Sequence, residues 1–160
     1  MDGGKPEAGC DGALATTRAH VPHVHVLRLL PGEDLLLSIR AFVKARNLPA
    51  AFVVTCVGSV GRCSLRPAGV ADARTWDDRK FEIVSLTGTM ESNGASSSPS
   101  EHLHMSVSDH ECNVFGGHVV VGCIVRTTAE IVLGVVSEGL TFRRAHDKRT
   151  GYSELYVLQD

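Results

Sequence analysis

The sequence predicts an α+β domain, a mostly antiparallel β-sheet with one early strand–helix–strand crossover. Three observations carry this. Segments of strand-like, apolar and β-branched sequence recur from residue 23 almost to the C-terminus. One stretch, Asp34 to about Arg46, instead repeats its apolar residues Leu35, Leu36, Ile39, Phe42 and Val43 at three-to-four spacing, the period of an amphipathic helix. That helix lies between the first two strands, an order that favours a parallel pair joined by a right-handed crossover, while the later strands read as mostly antiparallel.

The elements follow in chain order. Residues 1–20 are rich in Gly and Ala with little apolar pattern; they cannot bury enough to offset their ordering entropy and are expected to form a flexible tail, leaving 21–160 as the domain. His23 to Leu30 alternates, with Val24, Val26 and Arg28 on one face and His23, His25, Leu27 and Leu29 on the other. Pro31-Gly32 ends the strand. Glu33 and Asp34 place negative charge in the first helical turn, where the helix dipole favours it. Asn47 suits a left-handed cap and Pro49 prevents continuation. Ala51 to Val57 reads as a buried strand, Gly58 and Gly61 suggest a bulge or bend, and Arg62 to Arg66 reads as a short strand. Residues 67–80 read as a loop. Phe81 to Thr89 is a strand with Phe81, Ile83, Ser85 and Thr87 on one face. Glu91 to Ser100 is Ser-rich and reads as a flexible loop. Strands are then expected at Glu101–Val107, Cys112–Phe115, Val119–Val125 and Ile131–Val136, with shorter ones at Thr141–Arg144 and Glu154–Val157, nine or ten in all.

Bulk properties narrow the function. The chain has 160 residues, of which 43% are hydrophobic and 21% charged, enough for one domain with a real core. The formal net charge of -2 gives no overall pull toward nucleic acid or acidic membranes. No apolar run approaches the roughly 20 residues that span a bilayer, and no membrane association is expected. The N-terminus has neither the basic start and apolar stretch of a secretory signal nor the composition of a transit peptide. The five cysteines are Cys10, Cys56, Cys63, Cys112 and Cys123. None forms a C-x-x-C pair, and four lie in apolar, strand-like surroundings. They read as reduced, buried thiols of a cytoplasmic or nuclear protein.

The chemistry concentrates in Glu101-His102-Leu103-His104-Met105-Ser106-Val107. Side chains alternate along a strand, so His102, His104 and Ser106 share one face while Leu103, Met105 and Val107 share the apolar one. The two histidines lie about 7 Å apart along the backbone and can converge on one ion. The chain turns at Ser108–Glu111 and returns through Cys112-Asn113-Val114-Phe115-Gly116-Gly117-His118. With the hairpin centred near Asp109-His110, plain register sets residue 117 opposite His102. One extra residue at the Gly-Gly step, a bulge, would bring His118 there as a third imidazole. Three neutral imidazoles suit zinc, with iron, nickel or copper as competitors. Three protein ligands with an open position is the pattern of catalytic zinc. Candidate helpers are Ser106, Glu101 and Asp109. His20, His23, His25, His110 and His146 read as non-ligands, although His23 and His25 form a rival H-x-H pair. The basic pairs Arg143-Arg144 and Lys148-Arg149 read as a solvated hairpin edge. There is no Arg-Gly-Arg-Pro hook for the minor groove, and no P-loop, dinucleotide, serine-hydrolase or C-x-x-C motif.

With these residues in hand, the chain resembles the plant and prokaryote conserved (PPC) domain family. The resemblance rests on Leu27–Asp34 before the helix, Val57-Gly58-Ser59-Val60 with Leu65-Arg66, Phe81–Thr89, His102–Asp109, Val114–His118 and Thr150–Leu155. It covers about Val24 to Leu158, and the order and spacing of these blocks make it specific. It implies an antiparallel-sheet-dominated fold, a homotrimer, and zinc or another divalent transition metal on His102, His104 and His118. Plant nuclear members join the domain to AT-hooks and use it mainly for protein association. This chain lacks the hook and keeps the histidines, so it resembles the stand-alone prokaryotic type.

Two functions follow as expectations. The first is a trimeric metal-binding protein that acts on or senses a small molecule at the three-histidine site. The second is a regulatory module, associated with DNA or with a partner protein, like the plant domains. The missing hook and the net charge weigh against direct DNA binding while leaving association with a DNA-bound partner open.

Overall fold

The first strand, β1 (His23–Leu29), turns Leu27 and Leu29 inward and leaves Val24, Val26 and Arg28 exposed, the expected alternation. It begins a computed structural model that describes residues 23–92, 100–136 and 140–159. The expected tail at 1–20 and residues 93–99 of the Ser-rich segment lie outside these described residues. Among the described residues there are nine strands and one α-helix, and no helix is long and apolar enough to cross a membrane.

Helix α1 (Leu35–Ala45) buries Leu35, Leu36, Ile39 and Val43. Asp34 is its N-cap rather than part of its first turn, which contains no acidic residue. One carboxylate oxygen accepts from the Leu37 amide at 3.0 Å and the other from the Gly122 amide at 2.6 Å. Asn47 takes a left-handed φ of 50° just past the C-cap, Arg46. Asp34 therefore joins the helix start to a distant corner of the chain. Asp34→Ala is expected to cost about 2 kcal/mol, combining a typical cap loss with an amide left unpaired. A urea unfolding midpoint lowered at constant slope would register that cost, and an unchanged midpoint would contradict the role.

The long strand β2 (Ala50–Arg66) replaces the two expected segments and runs continuously through Gly58 and Gly61, with register shifts against β7 at Val53/Thr55, Gly58/Val60 and Val60/Arg62. A short strand, β3 (Arg74–Trp76), lies in the stretch expected to be loop and pairs with the end of β2. It is too short to show a period. Strand β4 (Phe81–Glu91) begins as expected, but a register shift between Ile83 and Ser85 exchanges its faces. Leu86 and Met90 become core and Thr87 is exposed.

The remaining strands are β5 (Ser100–Ser108), β6 (Val114–Val119), β7 (Ile124–Val135), β8 (Leu140–Asp147) and β9 (Tyr152–Gln159). Val119–Val125, expected as one strand, is a corner. Gly122 has φ 114°, and the backbone around it bonds the helix entrance: Leu35 N to Cys123 O at 2.8 Å, Gly32 N to Val125 O and Val125 N to Glu33 O, both at 2.9 Å. Tertiary bonding overrides local strand preference there.

The sheet order is β1-β7-β2-β4-β5-β6, with β3 on β2, and every pairing is antiparallel. The early crossover is present, but β7 stands between β1 and β2. Those two strands are parallel in direction without being neighbours. Strand β2 also meets β6 at its far end, through Leu65↔Val119 and Arg66↔His118. Strands β2, β4, β5 and β6 thereby close into a ring. The core cluster joins α1 to Leu103, Met105 and Val107 of β5, all at most 1% exposed. Burying such side chains is worth about 1.5–3 kcal/mol each. A one-residue slip of β5 would exchange them for its histidines, so the core fixes which way the histidines point.

Candidate metal centre

His102 and His104 share the outward face of β5, and His118 lies opposite His104 on β6. The register differs from the expected one. The turn occupies five residues, 109–113, between the paired Ser108 and Val114. Cys112 takes a left-handed φ of 62°. Asp109 holds the turn, its Oδ1 accepting from the Glu111 amide at 2.9 Å and the Asn113 amide at 3.0 Å. This longer turn places His118 against His104 rather than His102, with no bulge between β5 and β6. Gly116 and Gly117 serve close approach instead. A Cβ on Gly116 would meet Met105 O at 2.6 Å, and one on Gly117 would meet Arg66 O at 2.7 Å.

The three rings converge. One ligand atom from each of His102, His104 and His118 lies within 4.8 Å of the others, and among the described residues no other group of three His, Cys, Asp or Glu side chains does so. Ring centroids are 4.9, 5.3 and 5.5 Å apart. Nε2 of His102 and Nε2 of His104 are 3.1 Å apart. Nδ1 of His118 is buried with no hydrogen-bond partner, a state that ordinary packing avoids and that coordination would relieve. The donor set fits a borderline transition metal such as zinc.

Electrostatics favour the neutral form of His118 and His102. Burial first, then Arg66, His102 and His104, pull His118 down to about 4. Burial first, then Arg144 and His104, also lower His102. A histidine with a lowered folded pKa binds its proton more weakly folded than unfolded. These two therefore favour the folded state above the ordinary histidine value near 6.5, and stability is lost as pH falls from there toward about 4 for His118. At pH 7 His102 and His118 are therefore neutral imidazoles.

Sequence reasoning misses Arg144, which reads there as part of a solvated edge. Its side chain is only 9% exposed. Its Nη2 donates to Nδ1 of His102 at 2.9 Å and to Ser153 O at 2.7 Å. A guanidinium can only donate, so the His102 proton is assigned to Nε2, between the two rings. Coordination through Nε2 of His102 would need that proton on Nδ1 instead, with the guanidinium of Arg144 turned aside to Ser153 O and Glu154. Glu91, 2% exposed, accepts from the Arg144 amide at 2.8 Å and sets the β8–β9 hairpin beside the site.

The three expected helpers are otherwise engaged. Ser106 shares a 2.7 Å hydrogen bond with Ser85, Asp109 holds the turn, and Glu101 forms a two-pronged ion pair with Arg40 of α1. His25 packs on the edge of Phe42 with ring centroids 5.4 Å apart. The His23–His25 pair gathers no third ligand among the described residues. His110 and His146 are exposed, and His20 lies outside the described residues. Cys56, Cys63 and Cys123 are buried as expected, whereas Cys112 is exposed in the turn. Beside the histidines opens a cleft of about 780 Å³, bounded by Arg66, the turn at 67–71, Gly116-Gly117 and Tyr152, a size suited to a small molecule.

Known proteins share this architecture. The chain is 39% identical over 134 residues to the bifunctional protein GlmU of Synechococcus sp. (strain JA-3-3Ab), covering 84% of this chain and 20% of that protein. It is 33% identical over 114 residues to the AT-hook motif nuclear-localized protein 10 of Arabidopsis thaliana, covering 69% of this chain and 32% of that one. It therefore spans a third or less of these relatives. A protein of Salmonella enterica superposes with a TM-score of 0.79 at 38% identity, over 90% of this chain and 96% of the other. A metal-containing protein of Archaeoglobus fulgidus has the same fold, with a TM-score of 0.73 at 23% identity, over 89% of this chain and 99% of the other. The model of the Plants and Prokaryotes Conserved domain matches residues 17–137, and the chain belongs to that family.

Proposed function

We propose that this protein binds a divalent transition metal, zinc by preference, through His102, His104 and His118, and uses it to act on or sense a small molecule. The observation that carries this reading is the convergence of three imidazoles, one with a buried unpartnered nitrogen, at the edge of an open cleft. Three-imidazole zinc with a free position acidifies bound water to about pH 7 or polarises a carbonyl or phosphoryl oxygen. The chain's own residues hold the ligand rings: the β5 core register aims His102 and His104, and the β5–β6 pairing brings His118 against them. The similarity to a metal-containing protein of the same fold supports the reading.

The working form is a homotrimer, as the family resemblance implies, located in the cytoplasm. Val24, Val26 and Val57 lie 56%, 75% and 56% exposed on β1 and β2, a surface suited to association between copies. Elemental analysis of the purified protein is expected to find about one metal ion per chain, and light scattering a mass three times that of one chain. Metal-free protein that binds no added zinc would overturn the site.

The similarity to an AT-hook motif nuclear-localized protein favours a second reading, a nuclear module that associates with DNA-bound partners. In that reading the metal would staple β5 to β6 and exchange no ligand.

A further inference from the structure

We propose that the cleft beside the histidines receives a small oxyanion, a carboxylate or a phosphate group, and that Arg66 is the residue that binds it. This deepens the metal reading and rests on it. Arg66 of β2 is directly opposite His118 of β6, and His118 is directly opposite His104 of β5. Residues directly opposite in an antiparallel pair lie on the same face, with Cβ atoms about 4.5–5.5 Å apart. Arg66, His118 and His104 thus form one row across three strands, and His102 adjoins it two residues along β5.

The charges around the row are unequal. The side chain of Arg66 is exposed and makes no ion pair or hydrogen bond among the described residues. Arg144 adds a second, largely buried cation against His102. Of the carboxylates nearby, Glu101 is neutralised by Arg40, and Glu154 lies 3.9 Å from Arg144. A bound divalent ion would add further positive charge. An unpaired guanidinium at a concave, positively charged site suits two-pronged recognition of a carboxylate or phosphate. Arg66 borders the same cleft as the three histidines. One ligand group can thus face the metal position while its anionic oxygens meet Arg66. Tyr152 borders the cleft too and is 70% exposed, free to fold over an occupant.

The test uses the full chain loaded with cobalt(II), whose visible bands report the ligands on the ion. It is titrated separately with malonate and with methyl phosphate, and calorimetry gives the affinities. At least one anion is expected to bind saturably and shift the bands, and the anion that binds identifies the source. Arg66→Gln should keep one cobalt per chain and an unchanged anion-free spectrum, yet weaken that anion ten-fold or more. Arg66→Lys should recover part of the loss, and Arg126→Gln, an exposed arginine on β7, should change nothing. If the chain loads cobalt but ignores both anions, or if Arg66→Gln or Arg126→Gln fails these expectations, the oxyanion proposal falls alone. If the chain takes up no cobalt, the metal reading falls and this proposal falls with it.

Discussion

Replacing His104 with alanine is expected to empty the metal site, from about one ion per chain to near none after dialysis against a weak chelator. His104 is the central member of the trio. It stands opposite His118, and its Nε2 lies 3.1 Å from that of His102. Without it, only two ligand rings remain, one on each strand. Losing an outer-shell partner typically weakens metal binding about 10–100-fold, and losing a ligand from a set of three should exceed that. The fold should hardly notice. His104 points outward while its neighbours Leu103 and Met105 are at most 1% exposed, and substitutions at such surface positions usually stay within about 0.5 kcal/mol. Elemental analysis and thermal unfolding of the metal-free proteins separate the two effects. His110→Ala, at the exposed hairpin tip, should leave metal content unaltered. Full metal content in the His104 variant would remove the site from consideration.

How much of this is legible in the sequence depends on the range of the interaction. Alternation is local, so the shared face of His102 and His104 is visible there, as are the helix face and the buried side of β1. Alternation does not fix the partner of His104. That depends on the number of residues in the turn, and the left-handed Cys112 lengthens the turn to five. The sequence therefore brings the same third histidine toward the pair, but by a bulge where the structure uses a longer turn. The neighbour of β1 is similarly hidden, because β7 reaches it from about a hundred residues away. Arg144 is the clearest loss. Its sequence surroundings are those of an exposed edge, and only the bond to Glu91 and the contact with His102 make it part of the centre. Arg66 stands in a recognisable block, Leu65-Arg66, yet its position beside His118 exists only because β2 closes the ring of strands.

The second large effect is expected at Gly88, where a single methyl group should destabilise the fold and disturb the site together. Gly88 lies inside β4 opposite Leu103. Its φ is 134°, and an added Cβ would sit 1.9 Å from the carbonyl oxygen of His102 and 2.9 Å from Leu103 Cα. No side-chain rotation relieves that contact, since the opposing atoms are backbone. β4 and β5 must separate, which breaks ladder bonds and displaces His102. A strained backbone conformation costs on the order of 1–3 kcal/mol and overpacking a further 1–3. Gly88→Ala should therefore cost about 4 kcal/mol, a large part of the 5–15 kcal/mol that a domain typically has. Gly151 supplies the comparison: its φ is 77°, but nothing lies within 4 Å of an added Cβ. Gly151→Ala should lose only about 1 kcal/mol, the conformational part alone. The difference between the urea midpoints of the two variants reports the strand contact together with any greater backbone strain at Gly88. Where Gly88→Ala remains folded at low temperature, its metal affinity should also fall, because the backbone that carries His102 has moved. Equal midpoint shifts for the two glycines would mean that β5 does not press on β4 at this point. The close approach of those two strands would then have no part in aiming the histidines.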